Sequence, residues 1–258
     1  MDAEKIWGNI SKVILGEEIG PVADYISYFK KYVPQGREAE SSLSGEEILV
    51  GSEYPKGTKL ISANETDRYM RIIKEPELDI NSIKDIDSIT EALEEKVYYA
   101  GNILLGNSKD AIVSNCIIDS SSVYRSQYVF YSKNVVYCTH IRYQENVIGS
   151  ENVGGKGGGN FVIKGFRVYF SNRVMECVFS NSVSDCFYSA NLMGCSDCLF
   201  SFNLRAKRRC IGNLELPQDK FSALKKKLVD EIRETLKSKH DLPSIIDIIR
   251  AGGDNETD

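Results

Sequence analysis

The sequence predicts a mainly β protein: a single-stranded parallel β-helix of six-residue repeats, with an N-terminal α+β region and a C-terminal capping helix. Three observations predict it. An apolar residue returns at every sixth position from Leu105 onward, a small or polar residue follows three places later, and the flanking segments change to helical spacing. The boundaries fall at 1-100 for the α+β region, 101-213 for the coil and 214-258 for the C-terminal helix and an acidic tail.

In the first region, Ile6, Ile10, Val13 and Ile14 within Lys5–Leu15 lie at helical spacing, as do Val22, Tyr25, Ile26, Phe29 and Val33 within Val22–Val33. Pro21 suits the first turn of the second helix. EILV at 47–50 and TKLIS at 58–62 read as short strands around turns such as Tyr54-Pro55-Lys56-Gly57. Ile83, Ile86, Ile89 and Leu93 predict a further helix leading into the coil.

The coil follows in blocks of six. Leu105, Ala111, Ile117, Val123, Val129, Val135, Ile141, Val147 and Val153 lead successive blocks. Ser108, Ser114, Ser120, Ser126, Ser132, Cys138, Gln144 and Ser150 are their companions. After a glycine-rich interruption the leading positions resume as Val168, Val174, Ser180, Cys186, Leu192, Cys198, Leu204 and Cys210, with Cys177, Val183, Ser189, Cys195 and Ser201 among the companions. A period of six excludes an α-helix, and ordinary strands do not hold one register for so long without turns. A coil with one short strand and one bend per block satisfies it. Three blocks then make a triangular turn of about eighteen residues, with neighbours in a ladder one strand spacing apart. Ile117, Val135 and Val153 would form one interior ladder, Val123 and Ile141 part of another, and Cys177 would lie beneath Cys195. Stacked strands need covered ends. Downstream, Pro217 precedes a helix with Phe221, Leu224, Leu228, Ile232 and Leu236 on one face, Leu242–Ile249 suggests a second short helix, and Gly252–Asp258 reads as disordered.

Composition narrows the function classes. Net charge is -5 and mean hydropathy -0.27, so the chain as a whole carries no basic footprint for nucleic acid or anionic lipid. No run approaches the ~18 apolar residues of a membrane span. The opening MDAEKIWGNISKVILGEEIG reads as an amphipathic helix, so a cytoplasmic or intracellular location is expected. Seven cysteines, an odd number, favour reduced thiols packed as small hydrophobes over a disulfide framework.

On the block pattern, the segment Leu105–Cys210 resembles the hexapeptide-repeat, left-handed parallel β-helix family. That family places its small residue four positions after the aliphatic one. Here it comes three after, as in Ile117–Ser120 and Val135–Cys138, with aromatic residues such as Tyr124, Phe130, Tyr131 and Tyr143 between. A right-handed or flattened coil therefore stays open. The closing GCSDCLFSFNLRAKRRCIGN resembles uncharacterised Cys- and Asn-containing repeat proteins of bacteria and phages, a likeness that implies no activity.

The family resemblance implies two chemistries. Its acyltransferases use a histidine as general base with acyl-CoA as donor, a role that would fall to His140. Its carbonic anhydrases hold zinc with three histidines, and this chain has only His140 and His240. Cys195, Cys198 and Cys210 have a spacing that can serve zinc, yet each occupies a repeat position that packing already explains. Gly154, Gly155, Lys156, Gly157, Gly158 and Gly159 could wrap an anion or a partner, but lack the Lys–Ser/Thr ending of a P-loop and fall where the register slips. Arg205, Lys207, Arg208 and Arg209 form a local basic patch for phosphate or an acidic surface. The expectation is a non-catalytic scaffold in a larger assembly, a virion or an intracellular complex. Its partners would be proteins or further copies, met through the coil faces or the C-terminal helix, with no cofactor and no membrane. The alternatives are a hexapeptide-type acyltransferase and a nucleic-acid-binding accessory protein.

Overall fold

The computed structural model describes residues 3–51, 54–55, 57–72, 78, 80–94, 96–155, 160–165, 172–181 and 183–253. Its helices are α1 (Ala3–Leu15), α2 (Ile26–Lys30), α3 (Thr66–Ile72), α4 (Ile86–Glu94), α5 (Gln218–Lys239) and α6 (Ile245–Gly253). A cap precedes the coil, built from β1 (Arg37–Glu40), β2 (Glu47–Val50), β3 (Leu60–Ser62) and β4 (Tyr99–Gly101).

The coil alternates between two sheets. One contains β5 (Leu104–Leu105), β7 (Asn115–Ile118), β9 (Gln127–Phe130), β11 (Thr139–Arg142) and β13 (Glu151–Gly154). The other begins with β6 (Lys109–Ile112), β8 (Ser121–Tyr124), β10 (Lys133–Val136), β12 (Glu145–Ile148) and β14 (Asn160–Ile163). It continues with β15 (Asn172–Val178), β16 (Ser184–Ala190), β17 (Ser196–Leu199), β18 (Arg208–Ile211) and the closing strand β19 (Leu214–Glu215). The expected parallel β-solenoid with a C-terminal helix is the observed architecture.

Its turn is not triangular. Lys109 pairs with Ser121, Ser121 with Lys133 and Lys133 with Glu145, each partner twelve residues on. Two blocks complete one turn, giving the flattened coil. The expected eighteen-residue ladders are corrected accordingly. Ile117 stacks on Val129, Ile141 and Val153. Val123, Val135 and Val147 form the facing ladder, and Cys177 lies beside Ser189, not Cys195. All these Val and Ile side chains are buried. Two facing walls of Val and Ile close the interior without a third side.

The corners explain the companion serines. Ser120 Oγ donates to the Ile118 carbonyl at 2.8 Å and accepts from the Ser132 N–H at 3.0 Å, one turn on. Ser126 does the same with the Tyr124 carbonyl (2.8 Å) and the Cys138 N–H (3.0 Å). Each hydroxyl thus satisfies buried backbone groups that would be costly to leave unpaired. These bonds help hold a demanding backbone. Along the coil every third residue has a left-handed φ, as at Asp110, Val113, Cys116, Asp119, Ser122, Arg125, Tyr128 and Tyr131. Side chains disfavour that conformation by ~1 kcal/mol or more each. Ladder packing and the corner bonds must outweigh that cost.

A second core lies outside the coil. The fourth residues of the longer sheet's strands (Val136, Ile148, Ile163, Met175, Phe187 and Leu199) are buried on its outer face. They pack with Trp7 and Ile10 of α1, Phe29 of α2, Phe221, Ile232 and Leu236 of α5, and Leu242 just before α6. Contact is close enough that a Cβ on Gly149 (φ +55) would meet Phe29 Cα at 2.9 Å. The helix expected over Val22–Val33 is a short 3-10 turn (Val22–Tyr25) followed by α2, and the chain leaves it at the left-handed Tyr32. Leu242–Ile249 folds as α6 from Ile245, which also takes in Gly252 and Gly253; residues 254–258 lie outside the described residues. Among the described residues no helix is long and apolar enough to cross a membrane.

Candidate functional site

The two outer faces of the coil differ. The helices cover the longer sheet, whereas the five-stranded sheet carries a solvent-facing set of aromatic and cationic side chains. Residues twelve apart stand side by side there, so like residues stack. Tyr128 and His140 stack with centroids 4.7 Å apart and planes within 12°. Tyr131 and Tyr143 stack at 5.0 Å and 6° at the adjoining corner, with exposures of 51% and 37%. The Arg142 guanidinium lies 5.0 Å from the centre of the Phe130 ring between these columns. Each stack covers one face of each ring, and Tyr131, His140, Arg142 and Tyr143 remain exposed. The result is a rigid surface of the residue types enriched at interface centres.

The other sequence candidates lie elsewhere. His140 is the second residue of β11, left-handed and exposed on this face. His240 caps α5 and meets Tyr25 edge-on at 5.3 Å. Cys198 pairs in register with Cys186 and Cys210, while Cys195 sits at a corner; all are buried. The hydrogen bond with Cys186, together with burial, raises the Cys198 thiol, and burial beside Cys198 pushes Cys210 up to about 11. Among the described residues no three His, Cys, Asp or Glu side chains are grouped to hold a metal. Gly154 ends β13 and Gly155 follows it; Lys156, Gly157, Gly158 and Gly159 lie outside the described residues. The register slip is real, since Glu145 pairs with Asn160, fifteen residues on.

The basic patch is engaged locally. Arg205 donates to the Asn191 carbonyl at 2.7 Å, Lys207 pairs with Glu215 at 3.1 Å, and Arg209 donates to Gln218 at 3.1 Å. Arg208 approaches Asp197 at 3.9 Å, and Asp197 also holds Lys225 at 3.0 Å.

Sequence reasoning missed a buried charged cluster under α6. Lys164 Nζ lies 3.0 Å from Glu176 Oε1 and 3.7 Å from the Tyr28 ring centre. The other Glu176 oxygen accepts the Ile245 N–H at 2.6 Å, and Tyr28 donates to Glu176 at 3.3 Å. Desolvation lowers the Lys164 pKa, opposed by Glu176, and burial raises that of Tyr28. Beside it, Tyr32 and Lys31 hold the Asp247 carboxyl down at about 2. This cluster fastens α6 to the coil. Its signal was Lys164 and Glu176 standing twelve apart, which a reading by eighteens hides. Comparison with protein-family models, curated proteins and solved structures finds no match to this chain.

Proposed function

We propose that the chain is a non-catalytic scaffold whose five-stranded face docks onto a protein partner in a larger assembly. The asymmetry of the coil carries this reading: one face is buried under the chain's own helices, and the other carries the exposed Tyr131, His140, Arg142 and Tyr143 beside the half-buried Tyr128 and Phe130. Their chemistry fits a surface offering carboxylates to Arg142 and His140 and apolar atoms to the tyrosine edges. The hexapeptide acyltransferase alternative gains less from the geometry. His140 stands on a flat face against Tyr128, and a base there would need a second chain to supply both cleft and orienting group.

Native mass spectrometry of tagged protein purified gently from its source tests the reading. A stoichiometric partner that is lost when Phe130, Tyr131 and Tyr143 are all changed to serine supports it. A lone monomer, or a partner retained by that variant, overturns it.

A further inference from the structure

We propose that the free edge of β6 accepts an extended, cationic strand from a partner chain, laid parallel where the coil's preceding turn is missing. This concerns a different surface from the stacked face. It rests on the scaffold reading only in that a partner chain exists.

The two ends of the longer sheet are closed differently. At the C-terminal end β19 turns back antiparallel on β18, and α5 packs beside it. At the other end β6 is the last strand and, among the described residues, is bonded to β8 alone. The backbone shows what is missing. Arg125, Tyr137 and Gly149 each donate an N–H one turn back, to the carbonyls of Ile112, Tyr124 and Val136. Val113 holds the same corner position, and among the described residues its N–H has no such acceptor. The carbonyls of Ser120, Ser132 and Gln144 each accept from the preceding turn, at Lys109, Ser121 and Lys133. Ser108 has the equivalent carbonyl with no such donor among the described residues.

Side chains repeat the pattern. Val136 and Ile148 are fully buried, yet Ile112 in the same slot is 45% exposed. Ala111, at an interior position, is only partly buried, unlike Val123 and Val135 beyond it. Ala111, Ile112, Val113 and Leu104 line a cleft of about 320 Å³ together with Glu46, Glu47 and Asn102.

An open edge with aligned donors and acceptors is a template for strand addition. The coil's own rule gives the occupant's pattern: an aliphatic residue for the interior, then a small residue three places later. The cleft gives its charge. Glu46 and Glu47 line it; Glu47 is held by Arg125 at 2.7 Å, whereas among the described residues no cation pairs with Glu46, so lysine or arginine on the incoming strand completes the balance.

The test uses the full chain and a fluorescein-labelled peptide, Lys-Lys-Ser-Ser-Val-Tyr-Arg-Ser, which copies Ser121–Ser126 behind two lysines. Fluorescence anisotropy should show saturable binding, weakened about tenfold by Glu46→Lys, a substitution that leaves Trp7 emission unchanged. Hydrogen exchange at the Val113 amide should slow when the peptide is bound. Absence of saturation, or binding that leaves Val113 exchange unaltered, overturns the proposal. So does a concentration-dependent dimer that already protects Val113 without peptide, because the occupant is then a second copy. None of these outcomes alters the Phe130, Tyr131 and Tyr143 test of the stacked face.

Discussion

Replacing Ser126 by alanine removes one hydroxyl from a corner of the coil and nothing from its aliphatic walls. In the native chain that hydroxyl donates to the Tyr124 carbonyl and accepts the Cys138 N–H. The carbonyl keeps a second partner, the N–H of Tyr137 at 3.0 Å, so its loss is small. The Cys138 N–H is stranded in the interior. Losing the bonds at about 1 kcal/mol each, and leaving one buried donor unpaired, sums to about 2–3 kcal/mol. In a chain of this size each kcal/mol lowers Tm by about 2–4 °C, so the variant should melt some 5–10 °C lower. Amide hydrogen exchange gives the sharper reading. The amide that gains exchange should be Cys138, twelve residues on, with Gln144 unchanged because Ser132 still serves it. Fast exchange at Gln144 with Cys138 still protected would mean an eighteen-residue turn, and the two-wall coil would be wrong.

Three further outcomes follow from the packing. Gly149→Ala should drive the left-handed corner into Phe29 and loosen the helical layer, lowering Tm and red-shifting the emission of Trp7, the single tryptophan; an unshifted spectrum with unchanged Tm would show that α2 does not seat there. Glu176→Leu should cost about 3–5 kcal/mol in urea unfolding by stranding the Lys164 ammonium. Adding Lys164→Met should recover much of that cost, and a double variant as unstable as the sum of the singles would refute the coupling. Asp247 has a folded pKa depressed from 3.8 to about 2, so its contribution is full above about pH 4 and is lost as pH falls toward 2. Exchange of the Ser244 amide, which donates to Asp247 at 2.9 Å, should therefore accelerate over that window, and Asp247→Asn should abolish the pH dependence.

Much of this was legible before the fold was known, and the failures have physical causes. The leading Val and Ile positions and the companion serines mark the interior and the corners, because only inward-facing sites restrict side chains so regularly. The number of blocks per turn was not legible, since a six-residue period reports where the chain bends and not by how much. Tyr128 with His140 and Lys164 with Glu176 become pairs only once the turn is known to be twelve. The open edge at β6 could not be read either, because it depends on where the cap stops covering the coil. Helix α4 shows the converse. Its apolar spacing was plain, yet Ile86 is 78% exposed and the helix buries none of its residues.

The two-wall turn also sets rules for how such a chain can lengthen or shorten. Twelve inserted residues add one layer, about 4.8 Å of height, and every later side chain keeps its wall. Six inserted residues preserve the inward pattern but exchange the walls for everything downstream. Strands that now lie beneath α1 and α5 would face solvent, and their apolar outer residues would lose their cover. The three extra residues between Glu145 and Asn160 escape this penalty, because pairing resumes on the original wall at Asn160. Gene changes within the coil are thus filtered by multiples of twelve, with exceptions confined to loops that leave and rejoin on the same wall.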